Sequence, residues 1–206
     1  MVEVVDNAIQ LIVLVACFAA SVTWAVRKRD RMWVTISFFF GCSFFSTAYW
    51  TGYLIAFGQS PRFAFGPYLG WVAAYIFLMI LLVELDSRHP VVPVVRVAWA
   101  VPVACVPACV LFCQYGNILF NLVDCALIGA IGYFSARGLA VSSLRGFASG
   151  WALHAAILCY AVVELALWTA SCFWGAETLS PYVVADLAFT ASNAAILVCA
   201  WKMCAR

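Results

Sequence analysis

Charge is what this chain has least of. Nine acids and eleven bases stand among 206 residues, a tenth of the total, where a soluble domain carries about a quarter. With a mean hydropathy of +1.04, that scarcity excludes an ordinary soluble enzyme, and no nucleic-acid partner is expected. Histidine is nearly missing too. Only His89 and His154 occur, and with His89 in a loop a bis-histidine haem within this one chain is excluded. The ten cysteines include no CxxC pair. Cys105, Cys109 and Cys113 do repeat at i, i+4, i+8; such a stripe suits a soft metal, but packing as small hydrophobes is the reading preferred. The opening MVEVVDNAIQ holds two acids and no base. A cleavable signal peptide needs a basic start, so the first apolar run is read as a retained helix.

What is abundant is apolar surface, 67% of all residues. Seven runs near the length that a bilayer core requires span 8–26, 32–57, 67–85, 94–113, 117–136, 147–174 and 181–203. Irregular backbone cannot face lipid, so each run is expected to be a helix. The fold class is therefore all-α: a polytopic membrane protein with one seven-helix transmembrane domain over residues 1–206 and no room for a second. The lipid bilayer is its first partner. Ten of the eleven bases fall on one side, at the first, third and fifth connections and the C-terminus, leaving Arg62 opposite. The positive-inside rule then puts the N-terminus outside and the C-terminus in the cytoplasm, across the cell (inner) membrane.

The sixth run carries His154 and Glu164 inside a bilayer-length stretch, where an ionisable group costs a few kcal/mol or more without a partner or a task. Tyr160, Glu164 and Trp168 share one helical face at i, i+4, i+8. Asn117, Asn121 and Asp124 in the fifth run, and Asp186, Thr190 and Asn193 in the seventh, repeat at i, i+4, i+7. At ~1.5 Å per residue, Asp124 lies about 10 Å deep, Glu164 about 15 Å and Asp186 about 8 Å from the outer ends. No lysine or arginine within the helices neutralises these acids. They must hold protons, share them, or attract a cation. The expectation is an outer-half cavity between helices 5, 6 and 7, closed by Trp50 and Tyr75 from helices 2 and 3, with His154 as a deeper proton relay.

Other features have plainer readings. Tyr68 and Trp71 suit an interfacial aromatic belt. Glu84 and Asp86, followed by Arg88, suggest a local ion pair. Pro102 and Pro107 should bend the fourth helix.

The order of a basic RKRDR turn, an aromatic helix ending WTGYLIAFG, then GPYLGWVAAYIFLMILLVELDSRHP and a Pro-containing fourth helix resembles the seven-helix N-terminal sensor region of some bacterial histidine kinases. The likeness covers about residues 8–113 and implies a sensor module. It departs from the pattern in a short fourth connection and in having no kinase after Lys202, so a separate signalling partner is implied. Acids beside Trp and Tyr suit a small amine or other cation. A proton- or cation-coupled transporter is the alternative, since embedded carboxylates serve as proton relays. A quinone-handling subunit of a redox complex is another, with His154 and Glu164 carrying protons. No cofactor is named by any motif, helix 7 lacks the lysine that would hold retinal, and no nucleophile–base pair points to an enzyme acting alone.

Overall fold

A computed structural model of the chain describes residues 2–59, 61, 65–87, 95–145, 148–175 and 179–204. Among them there are seven long helices and no strand: α1 (Val2–Lys28), α2 (Arg31–Phe57), α3 (Phe65–Ser87), α4 (Ala100–Tyr115), α5 (Ile118–Arg145), α6 (Ala148–Ser171) and α7 (Pro181–Cys204). A 3-10 turn, Arg96–Trp99, leads into α4. All seven are long and apolar enough to cross a membrane. These are the helices of a multi-pass membrane protein.

Helix α4 begins at Ala100 rather than residue 94 and α6 ends at Ser171 rather than 174, and two other helices run well past their expected bounds. Helix α1 begins at Val2 rather than residue 8: Asp6 is buried against Asp186 of α7, and the Asn7 amide donates to the Glu3 carbonyl one turn back in the same helix at 2.8 Å. Helix α5 runs to Arg145, so the stretch RGLAVSSLRG, expected as a linker from residue 137, is helical through residue 145. The extension carries Arg137 to Asp86 at the end of α3, with Nη2 and Oδ2 3.6 Å apart. Arg88, the partner expected for the acids of α3, lies outside the described residues.

The local signals at the helix ends are conventional. Asp30 caps α2, its Oδ1 accepting the Met32 N–H at 3.1 Å. Gly58 ends α2 in the left-handed region at φ 66°, its N–H reaching the Leu54 carbonyl at 2.9 Å. In α4, Pro102 falls in the first turn, where no N–H is needed, and Pro107 alone interrupts the interior.

Six helices close a ring. Helix α1 packs on α2, α2 on α3, α3 on α5, α5 on α6, α6 on α7, and α7 returns to α1, while α4 lies outside against α5 and α6. Polar and apolar faces are arranged as lipid demands. Ile12, Phe45, Val106 and Leu119 are each more than 60% exposed, whereas Asp6, Gln10, Asp124, Glu164, Asp186 and Asn193 are buried. Tyr160 sits on the axis of the ring, edge-on to Phe39 of α2 at 5.8 Å and 4.9 Å from Phe189 of α7. The serine hydroxyls of α2 are consumed locally: Ser37, Ser43 and Ser46 bond back to the carbonyls of Trp33, Phe39 and Cys42.

Small residues set the helix spacing. A Cβ on Gly138 of α5 would lie 2.2–2.5 Å from three atoms of the His154 imidazole on α6. His154 is 5% exposed and sits ten residues, about 15 Å along the helix, from Glu164. Gly138→Ala should therefore lower stability by about 1–3 kcal/mol, the usual cost of overpacking, despite the better helix propensity of alanine. In a His154→Ala background the same substitution should cost nothing or stabilise, as read by melting temperature in detergent; an undiminished loss would contradict the close contact.

Candidate ligand-binding cavity

The end of the bundle where the chain begins contains a cavity of about 420 Å³, within the range of small-molecule sites, about 300–1,000 Å³. Five helices and one loop build its walls. Helix α1 supplies Glu3, Asn7 and Gln10; α2 supplies Trp50; α3 supplies Tyr68, Trp71 and Tyr75; α6 supplies Glu164, Leu167, Trp168 and Ser171; α7 supplies Tyr182, Asp186 and Phe189; and Trp174 and Gly175 follow the end of α6.

Glu164 forms the floor. It is 3% exposed, and its Oε1 accepts two hydrogen bonds, from the Tyr75 hydroxyl at 2.5 Å and from Trp168 Nε1 at 2.8 Å. Its Oε2 has no hydrogen-bond partner among the described residues. The helical spacing that puts Trp168 one turn after Glu164 is what lets the indole reach back along the same face. Beneath, the ring is closed by packed side chains, with Phe39, Leu78, Ile157 and Tyr160 all buried.

Asp186 forms the opposite acidic wall. Gln10 Nε2 donates to its Oδ1 at 3.4 Å, and the Asp6 carboxyl of α1 meets it from the neighbouring helix. Aromatic rings complete the enclosure. Trp50 and Trp71 are 5.8 Å apart, Trp71 stands edge-on to Tyr68 at 5.7 Å, and Tyr68 stacks on Phe120 at 4.8 Å. Among the described residues, no lysine, arginine or histidine lines the cavity; Arg62, in the α2–α3 connection, lies outside them.

Of the residues singled out in the sequence, Glu164, Trp168, Asp186, Trp50 and Tyr75 meet in this cavity. Tyr160 lies just below, its ring 6.5 Å from that of Tyr75. The face of α5 does not reach the wall. Asn121 donates to the Phe112 carbonyl at 2.8 Å and so closes the C-terminal end of α4. Asn117 accepts from the Phe120 N–H at the start of α5. Asp124 is buried behind the floor, close enough for its charge to act on Glu164 and Tyr68, with Oδ1 lacking a partner among the described residues. Asn193 lies deeper than the cavity and bonds back to the Phe189 carbonyl at 3.0 Å. His154 is also outside the lining, against Gly138.

The place expected for α5 is taken by α1. Glu3, Asn7 and Gln10 repeat at i, i+4, i+7, the spacing that identified the other stripes, so the signal was present, with Glu3 and Asn7 left outside the first run and Gln10 inside it. Tyr68 and Trp71 turn inward instead of forming an interfacial belt. Chemically, the cavity pairs several carboxyls with aromatic faces, and no basic side chain stands among its described lining residues. Among the described residues, no three His, Cys, Asp or Glu side chains form a metal-ligating group.

No family model, no curated protein and no solved structure matches this chain. The functional reading rests on the cavity.

The floor makes a direct prediction. Tyr75→Phe removes one of the two donors to Glu164 and should cost about 1–3 kcal/mol. In a Glu164→Leu background the same change should cost at least ~0.5 kcal/mol less, because the two side chains are coupled. Thermal or denaturant unfolding of the four proteins of this cycle measures the coupling; strictly additive losses would contradict the bond.

Proposed function

We propose that this protein is a receptor- or sensor-like seven-helix membrane module that binds a small cationic ligand in the cavity at its N-terminal end. The observation that carries the reading is the combination of Glu164 and Asp186 with a wall of Trp and Tyr and no basic group. Carboxylates attract a cation by charge, and aromatic faces do so through their quadrupole, about 0.5–2 kcal/mol per contact as water is excluded.

Orientation follows the basic residues. The first connection holds Arg27, Lys28, Arg29 and Arg31, and the last helix ends near Lys202, so this end faces the cytoplasm and the cavity opens outside the cell membrane. A ligand would then arrive from the exterior. Its binding would bias the ring of helices, and a separate protein would read the change at the basic end. This division of labour agrees with the resemblance to the sensor regions of histidine kinases. The closed core beneath Glu164 favours a receptor over a transporter, for which a path past Tyr160 and Phe39 would be needed. His154 is correspondingly a packing residue in this account.

The test uses simple probes. 2-Phenylethylamine and tetramethylammonium should stabilise the detergent-solubilised protein, with hexanoate as the anionic control. A hundredfold excess over Kd supplies about 2.7 kcal/mol of linkage, or about 5–10 °C for a chain of this size. The shift should shrink in Glu164→Gln and in Asp186→Asn, and hexanoate should give none. Equal shifts in all three proteins, or a larger shift with hexanoate, would overturn the reading.

A further inference from the structure

Besides the half-buried Glu3 at its mouth, the cavity has two buried acidic centres on different helices, Glu164 and Asp186 with Asp6 behind it, and each has acceptor capacity to spare. At the floor, Glu164 commits Oε1 to Tyr75 and Trp168 while its Oε2, on a side chain 3% exposed, has no hydrogen-bond partner among the described residues. On the α7 wall, Asp186 takes the Gln10 amide and lies against Asp6, whose Oδ1 likewise has no partner among the described residues.

One positive charge does not answer this arrangement. An ammonium set against Glu164 leaves the Asp186–Asp6 pair, which keeps one negative charge when its two carboxyls share a proton, uncompensated, and one set against Asp186 leaves Glu164. Buried charge without a partner is costly, so the complementary ligand carries two charges that are held apart. What lies around these centres is aromatic, with Trp168, Tyr182 and Phe189 on the α6 and α7 walls. Such a surface suits methylene groups and also the ammonium heads at their ends. A compact metal dication is the other doubly charged candidate. It requires about six or more oxygen ligands converging on one point, which these two separated centres do not provide.

We propose that the cavity takes an aliphatic diamine, with one ammonium on Glu164, the other on the Asp186–Asp6 centre, and the hydrocarbon along the aromatic wall. The proposal rests on the cation-binding reading above and adds to it the number of charges and their separation.

Isothermal titration calorimetry on the full chain in nanodiscs tests it with 1,4-diaminobutane, 1,6-diaminohexane, butylamine, hexylamine and magnesium chloride. At least one diamine should bind about tenfold or more tighter than the monoamine of equal length. Asp186→Asn or Glu164→Gln should each bring that diamine down to the level of the monoamine, with circular dichroism confirming that both variants keep wild-type helicity. Equal affinities for diamine and monoamine would overturn the diamine and leave the cation site standing. Magnesium binding as tight as the best diamine would overturn it in favour of a metal dication. No binding by any amine would overturn both this proposal and the reading beneath it.

Discussion

Lipid offers no hydrogen bond and almost no solvation to a charge, and this one constraint organises the molecule. A carboxyl within a membrane helix must turn toward other protein or toward water. Five acids near the N-terminal end of the bundle, Glu3, Asp6, Asp124, Glu164 and Asp186, therefore rotate four helices so that their polar stripes face inward, and Asp6, Asp124, Glu164 and Asp186 are all buried. The aromatic residues follow them. Tyr75 and Trp168 are fixed by a shared bond to one carboxyl oxygen, and Trp50, Tyr68 and Trp71 pack as a connected set of rings on the facing helices. At the other end the same constraint is met by a different route, with Asp86 and Arg137 paired and Lys28 over the Trp24 ring at 5.6 Å.

The seven helices were legible in the sequence because length and apolarity are properties of each run alone. Their ends were less so. Asp6 looks like part of a solvated start until α7 brings Asp186 against it, and residues 137–145 look like a linker until Arg137 is seen to reach Asp86. The polar faces were legible as well, since 3.6-residue spacing assigns Tyr160, Glu164 and Trp168 to one side of a helix without any knowledge of its surroundings. Spacing does not say which helix stands opposite. That depends on the ring order, in which α4 is displaced outward and α7 closes on α1. Hence Glu164, Trp168, Asp186, Trp50 and Tyr75 came together as the stripes implied, while Asn121 was diverted to the end of α4 and Asp124 to the rear of the floor. Glu3, Asn7 and Gln10 took the remaining wall.

The resulting design places a wide, acidic, aromatic space above a closed core. Tyr160 joins the two, touching Phe39 below the cavity, Phe189 of its wall and Tyr75 at its floor. A change in how Glu164 holds Tyr75 would thus be felt in the centre of the ring, among side chains from α2, α3, α6 and α7. For the receptor proposed above, this would be a short physical route from ligand to helix packing.

The central claim is that this space is aqueous, acidic and reached from the N-terminal side. Cysteine placed at Ser171, on the cavity wall, in a chain otherwise free of cysteine, tests it most directly in intact cells with membrane-impermeant thiosulfonate reagents of opposite charge. The account predicts that the cationic reagent labels this position from the exterior at least about tenfold faster than the anionic one, as expected for a cleft that concentrates one sign of charge, and that a cysteine at lipid-facing Val184, 58% exposed, is not labelled. Absence of labelling at position 171, or faster reaction with the anionic reagent, would contradict it.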